Sequence, residues 1–460
     1  MKKPIHLGVA VIALAAMAAN VRAAEFSVNS YGAKGDGITL DTAAIQKAID
    51  AAGKSKGTVV LRPGTYISGS LFLKSGVTLR VDEGVVIQGA QDQAAYPVMP
   101  TRVAGIEMIW PAALINVYEQ TDVTISGKGV IDGNGKMWWD KYWKMRREDY
   151  EPKGIRWAAD YDCQRPRLIQ IFKSSNVNLT GLTLKRSGFW TVHICYSHDV
   201  AVDGVTIRNN GSGAAGDKGP STDGIDIDSS MSVMVQNCDI ECNDDAICLK
   251  AGRDADGLRV NQPVEKVTIR NSTIRAGAAG VTFGSETSGG IRDIEAYGLH
   301  VLPGVSNGIL FKSAGTRGGT IENIRVHDMD IHGVNTVFSV QFNWNPSYSY
   351  ATIPPSITSY PDYWKVLTAP VPPAQGLPHL RNITISDIKA TGAKAAFAVD
   401  SYKDSPLTHV TFSHFDAEAK VAGSITNAED WTFTDTRIQA ADGSAVAVKD
   451  SNKVTGLPSK

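Results

Sequence analysis

The sequence predicts an all-β protein, a single-stranded right-handed parallel β-helix with an N-terminal helical cap. Three observations carry that expectation. Seven segments, among them "SSNVNLTGLTLKRS", "SHDVAVDGVTIRNN", "VEKVTIRNSTIRAG" and "LRNITISDIKATGA", repeat an apolar alternation, a polar or glycine bend and a second short alternation. Period-two alternation means strand. Val177, Val200, Val233 and Val267 open four of these units at spacings of 23, 33 and 34 residues, a solenoid-sized repeat in which each turn hides its apolar side chains only by stacking on the next. Glycine, 44 of 460 residues, suits a fold full of tight turns. The rival all-β reading is a sandwich.

In chain order, "MKKPIHLGVAVIALAAMAANVRA" has a basic start, an apolar run and a small residue at Ala23, and reads as a secretory signal, residues 1–23, cleaved after Ala23. The expected location is periplasmic or secreted, with no membrane anchor. Removing the signal moves the formal charge from -1 to -4, so a nucleic-acid partner is not expected. Residues 24–460 form the β-helix domain, with 24–55 as its cap. There "TLDTAAIQKAIDAAG" places Ala44, Ile45, Ala48, Ile49 and Ala52 at helical spacing, and Asp41 or Thr42 can cap the helix. Two segments break the strand rhythm: 133–167, rich in Trp, Tyr and Arg, and 343–379, rich in Pro and Tyr. Both are expected as long loops that carry function, with aromatics able to stack on sugar rings or to cover the solenoid's flank. The segments around 405–444 read as the last, weaker turns. Five cysteines, Cys163, Cys195, Cys238, Cys242 and Cys248, leave at least one unpaired within the chain and lack a histidine to complete a zinc site.

The chemistry concentrates in "GPSTDGIDIDSSMSVMVQNCDIECNDDAICLKAG", residues 219–252. Asp223 and Asp244 are 21 residues apart, close to one turn, so Asp223 and the Asp244/Asp245 pair meet on adjacent turns. Adjacent residues of a straight strand face opposite ways, so both paired aspartates reach one cleft only through a bend, which Asn243 favours. Crowded carboxylates push at least one pKa up, as a glycosidase needs: one protonated acid and one ionised base. A calcium site or solvated turn aspartates are the competing readings.

The run "YGAKGDGITLDTAAIQKAI", "GVIDGNG", "STDGID", "NDDAICLKAG", "GSETSGG" and "FKSAGTRGG" resembles glycoside hydrolase family 28, the pectin-degrading polygalacturonase and rhamnogalacturonan hydrolase family, over nearly the whole mature chain. The resemblance implies that Asp223 and Asp245 activate water, that Asp244 is the general acid, and that the reaction inverts, with carboxyl groups roughly 6.5–9.5 Å apart. No cofactor and no metal site are expected, and calcium use stays open. Expected substrate-binding residues are Asp226, His193, Trp190, Lys250, Glu286, Lys312 and Arg167; for Asp226 a structural turn role, and for His193 a core role, stand beside the sugar contact. Three departures bear on the substrate: Ser221 opens the N-T-D motif, Ala278 stands where the family carries a histidine, and Leu310 replaces the arginine paired with Lys312. A leucine cannot supply the bidentate fork of arginine. Two substrates stay open, galacturonan and the mixed rhamnose–galacturonate backbone or a rhamnoside, with poor action expected on plain polygalacturonate. Partners are a pectic polysaccharide or oligosaccharide, acted on by a monomer, in an exo mode if the 133–167 insertion walls one end of the cleft. Other classes are a non-catalytic polysaccharide-binding β-helix and a calcium-dependent lyase.

Overall fold

The computed structural model describes residues 24–210 and 218–458, and there the chain coils as a right-handed parallel β-helix. A representative turn consists of the strands Val192–Cys195, His198–Asp203 and Thr206–Arg208. The repeat valines are in register: Val123, Val177, Val200, Val233, Val267, Ile294, Ile324, Ile383 and Val410 pair rung to rung. They point inward and build one continuous core. The residue before each of them has a left-handed backbone, including Asp122, Asn176, Asp199, Asp293, Asn323 and Asn382. Asn and Asp tolerate that conformation better than other side chains, which explains the polar residue that opens each turn. Ser174, Ser197 and Ser230 stack at one corner, where Ser174 N–H donates to Ser197 Oγ and Ser197 N–H to Ser230 Oγ, both at 3.0 Å.

Helix α1, Thr42–Gly53, covers the N-terminal end and buries Ile45, Ala48, Ile49 and Ala52. Asp41 occupies its N-cap position without the capping bond. Its carboxylate instead accepts the backbone N–H groups of Lys34 (2.7 Å) and Gly35 (2.9 Å), and Thr42 Oγ1 accepts Gly69 N–H at 2.8 Å. At the other end an aromatic cluster that includes Phe338, Phe397, Phe412, Trp431 and Phe433 fills the core. All five cysteines are buried and free.

The 133–167 segment differs from the extended loop expected. It carries helix α2, Lys136–Met145, followed by short helical turns as far as Asp162. Trp138, Trp139 and Tyr142 form its buried face. The 343–379 segment contains three helical turns of four to six residues. A hairpin, Val98–Val103 paired with Ile106–Pro111, stands beside them. The three pack together through Val103, Ile106, Trp110, Trp157, Tyr161 and Trp364.

Candidate active site

Strands Val192–Cys195, Ile225–Asp228 and Ile247–Lys250 lie on consecutive rungs, with His193, Asp226 and Cys248 in register. Alternation sends Ile225, Ile227, Ile247 and Leu249 into the core, while Asp226, Asp228, Cys248 and Lys250 stand on the outer face. Asp223 and Asp245 precede these strands at matching positions, and Gly224 N–H donates to Asp245 O at 2.8 Å. A Cβ on Gly224 would sit 2.3 Å from the carbonyl oxygen of Ala246, so the close approach of the two rungs requires glycine there. The chain bends at Asn243–Asp244, with Asn243 Nδ2 donating to Gly219 O at 2.9 Å and Asp245 N–H to Asp244 Oδ1 at 3.0 Å. The bend turns both paired aspartates to one side. One oxygen each of Asp223, Asp244 and Asp245 lies within 4.8 Å of the others. That is tighter than the separation expected for an inverting pair, because the carboxylates come from rungs in direct hydrogen-bonded contact.

Two lysines hold this charge together. Lys312 Nζ donates to Asp245 Oδ1 and Oδ2 at 3.0 and 2.8 Å, and Thr282 Oγ1 adds a third bond to Asp245 at 3.1 Å. Lys250 Nζ sits 3.4 Å from Asp226, 3.5 Å from Asp223 and Glu286, and 3.6 Å from Asp245. Burial pushes the Asp245 carboxyl up, but Lys312 and Lys250 outweigh it and hold the group below its usual range. Asp244 moves the other way, raised by burial and then by the charge of Asp245. Asp223 is raised well above normal by burial, with Asp226 and Asp244 adding to it, and burial lifts Asp226 to about 8 against the pull of Lys250. In Glu286, Lys250 and Arg317 overcome burial and bring the pKa down to about 2. The site therefore pushes its acids in opposite directions, Asp223, Asp244 and Asp226 up and Asp245 and Glu286 down, the kind of split that acid–base hydrolysis uses. The same three aspartates have the donor set of a cation site, but two lysine ammoniums already occupy the position of the countercharge.

The aspartates open into a pocket with about 450 Å³ of empty space, mouth included. Trp190, Lys250, Glu286 and Lys312, four of the residues expected to bind substrate, line it. Its walls come from the inserted segments: Ala104 from the hairpin, Arg156 and Asp160 from the first insertion, Trp344 and Tyr348 from the second. The Trp190 ring lies 5.0 Å from Lys250 Nζ and the Trp344 ring 4.4 Å from Lys312 Nζ. Asp160 accepts Tyr142 Oη at 2.8 Å and Ser221 Oγ at 3.3 Å, and pairs with Arg156.

Several expectations require correction. Arg167 and His193 do not line the pocket. Arg167 is buried behind it, donating to Arg102 O, Gln170 Oε1 and Thr101 Oγ1. His193 Nε2 faces Asp228 Oδ2 at 3.4 Å, and burial and Arg167 hold its pKa down to about 4. Its ring does touch Trp190, 4.9 Å between centroids, because the chain bends at 188–191 and places both on the outer side. Asp226 lies directly behind Asp223 and Lys250, fully buried and outside the lining. Leu310, which stands where the family carries its substrate-binding arginine, is 3% exposed, in register between Thr282 and Ser339, and does not line the pocket. Ala278 N–H donates to Asp244 O at 2.8 Å, so this position meets Asp244 through its backbone. Arg156, Asp160, Trp344 and Tyr348 went unnoticed. The available signal was the Arg156/Asp160 spacing of four in "GIRWAADYD", a helical ion pair within a segment read as a loop.

The family model described as "Glycosyl hydrolases family 28" matches residues 64–358, and that of "Rhamnogalacturonase A/epimerase, pectate lyase-like" matches residues 25–96. The chain is 29% identical to a probable polygalacturonase of Vitis vinifera, over 92% of this chain and 79% of that protein. It is 25% identical to an exo-poly-alpha-D-galacturonosidase of Dickeya chrysanthemi, over 88% and 69%. Among solved structures, an exopolygalacturonase from Thermotoga maritima shares the fold with a TM-score of 0.73 at 24% identity, covering 93% of this chain and 92% of that one.

Proposed function

The chain belongs to glycosyl hydrolases family 28, and on that premise we propose that it releases sugar units from the ends of pectic chains by single-displacement hydrolysis among Asp223, Asp244 and Asp245. It is an O-glycosyl hydrolase of polygalacturonase-like activity on pectic polysaccharide. The observation that carries the detailed reading is the convergence of Asp223, Asp244 and Asp245 at one pocket, with Lys312 bonded to both oxygens of Asp245. Asp244, whose carboxyl is pushed up by burial and by the charge of Asp245, donates its proton to the glycosidic oxygen as the bond from that oxygen to the anomeric carbon breaks. Water attacks that carbon from the opposite face, and its proton passes to Asp245, which Lys312 keeps ionised. Asp223 holds the same water. A water donating two hydrogen bonds of about 2.8 Å spans roughly 4.5 Å between its acceptors, a distance that the packed carboxylates accommodate. Inversion is therefore retained in the proposal despite the short spacing.

Exo action is supported by the wall of three inserted segments, tied together by its own apolar cluster beside the pocket. Threading a polymer requires a cleft open at both ends. The relative from Dickeya chrysanthemi is described as an exo-enzyme. Galacturonate is the favoured terminal unit, since Leu310, the main argument for a rhamnose-facing subsite, is buried and does not line the pocket. Export to the periplasm or the medium and action as a monomer belong to the same reading. Residues 1–23, expected to direct export, lie outside the described residues, and no helix among the described residues is long and apolar enough to cross a membrane.

The test is a product profile on oligogalacturonides, capped or free at the nonreducing end, with proton NMR of the newly released anomer. Monomer release from free ends only, with the anomer inverted, is expected. Internal cleavage, a retained anomer, or an unsaturated product absorbing in the ultraviolet and lost on chelation each overturns a stated part. Release from rhamnogalacturonan ends alone transfers the reading to the rhamnose-containing backbone.

A further inference from the structure

Five carboxyl groups line the pocket, Asp160, Asp223, Asp244, Asp245 and Glu286, against three cations, Arg156, Lys250 and Lys312. An acidic substrate entering such a site needs a cation that is not already committed. Lys250 is surrounded by four carboxyl groups at 3.4–3.6 Å. Lys312 spends two bonds on Asp245. Arg156 is different. Nη1 donates to Asp160 Oδ2, while Nε and Nη2 have no hydrogen-bond partner among the described residues. Its side chain is 18% exposed, at the pocket wall.

We propose that Arg156 is the specificity residue that receives the carboxylate of the terminal uronosyl unit, an inference that rests on the pocket accepting a pectic chain end. The guanidinium is held ready for it. Asp160 fixes one edge and is itself held by Tyr142 and Ser221. The ring of Tyr348 lies 5.0 Å from the guanidinium carbon and supports it by a cation–π contact. The free edge then offers two parallel N–H groups, the geometry that grips a carboxylate bidentately. A neutral sugar or a methyl ester leaves that edge without a matching acceptor, so discrimination follows from what the arginine loses as well as what it gains. The residue comes from an inserted segment and not from the solenoid, so specificity for the acid is separable from the catalytic rungs.

The experiment compares kcat/KM on trigalacturonate and on its methyl ester for the full chain, for Arg156→Gln and for Arg156→Lys. Wild type is expected to prefer the free acid. Arg156→Gln should reduce the acid-over-ester ratio by tenfold or more, through KM on the acid, and Arg156→Lys should recover part of it by keeping the charge without the fork. An unchanged ratio in a folded Arg156→Gln variant overturns the inference. Calorimetry of the unmodified protein with free D-galacturonate and D-galactose provides a measurement independent of any variant: equal affinities also overturn it. If wild type hydrolyses neither trisaccharide, the functional reading has failed, an outcome distinct from loss of selectivity alone.

Discussion

At the scale of single residues the site works by unequal treatment of chemically identical groups. Asp244→Asn keeps shape and removes the transferable proton, so kcat should fall by about 10²–10⁴-fold with the unfolding transition unchanged; full activity on the natural substrate refutes the assignment of the acid. Lys312→Met tests the proposed base, Asp245. The ammonium 2.8 Å from Asp245 holds that carboxyl below its usual range, and without it burial pushes the group up. The acid-side limb of the pH profile of kcat/KM should then shift to higher pH, and an unmoved limb shows that some other group sets it. Asp226 titrates in the opposite sense. Folding raises its pKa to about 8 from an ordinary value of about 3.9, so the folded chain keeps a proton that the unfolded chain releases. Its contribution to stability is complete below about pH 4 and is lost as pH rises through about 8. Asp226→Asn removes that dependence. Denaturant midpoints of the variant and wild type should diverge in the variant's favour between pH 5 and 8, and parallel curves contradict the buried neutral carboxyl.

At the scale of elements, strands were easier to read than insertions. The rung valines were visible because a solenoid repeats one environment, and a hydrophobic position in one turn predicts the same position in the next. The convergence of Asp223 with Asp244 and Asp245 followed from that period. The residues that the strand pattern did not reach were the errors. Arg167 looked like a cleft cation because it follows a loop, yet Thr101, Arg102 and Gln170 take up its donors behind the pocket. Leu310 looked like a subsite residue because it stands at the arginine position of the family motif before Lys312, yet it is buried and does not line the pocket. The helix α2 was hidden by composition: Trp138, Trp139 and Tyr142 share one face, but aromatic density read as a sugar-stacking loop. Trp157 shows what those insertions do together. It is buried between the hairpin and both insertions, edge to face with Trp364 at 4.9 Å, and donates to Thr352 O at 3.3 Å. Trp157→Ala should loosen the wall and move products from monomer toward longer oligomers, read by anion-exchange chromatography. An unchanged product distribution in a wall shown by hydrogen exchange to have opened removes the case for exo action from these segments.

At the scale of the whole molecule the solenoid decouples stability from catalysis. Each rung contacts chiefly its neighbours, so the energetics approach a one-dimensional chain of local interactions. The rung that contains Val233 also carries Asp223, and Val410 lies five rungs further on by register, about 24 Å at the usual strand spacing. Phe412 is on that distant rung, fully buried and stacked on Phe433 at 4.7 Å between centroids. Phe412→Ala leaves a cavity in the C-terminal aromatic cluster and should cost about 3–5 kcal/mol. The loss should appear first as earlier exchange and proteolysis of the C-terminal rungs, while kcat, KM and both limbs of the pH profile stay at wild-type values below the transition. Gly224→Ala is the converse. It adds one methyl group, but that methyl meets the backbone of the adjacent rung, and spreading the two rungs separates Asp223 from Asp245. Activity should fall by more than the small change in unfolding midpoint can explain. If both variants lose activity and stability in proportion, the rungs do not act independently, and the positions of the aspartates are set by global tension in the coil and not by the contact between two neighbours.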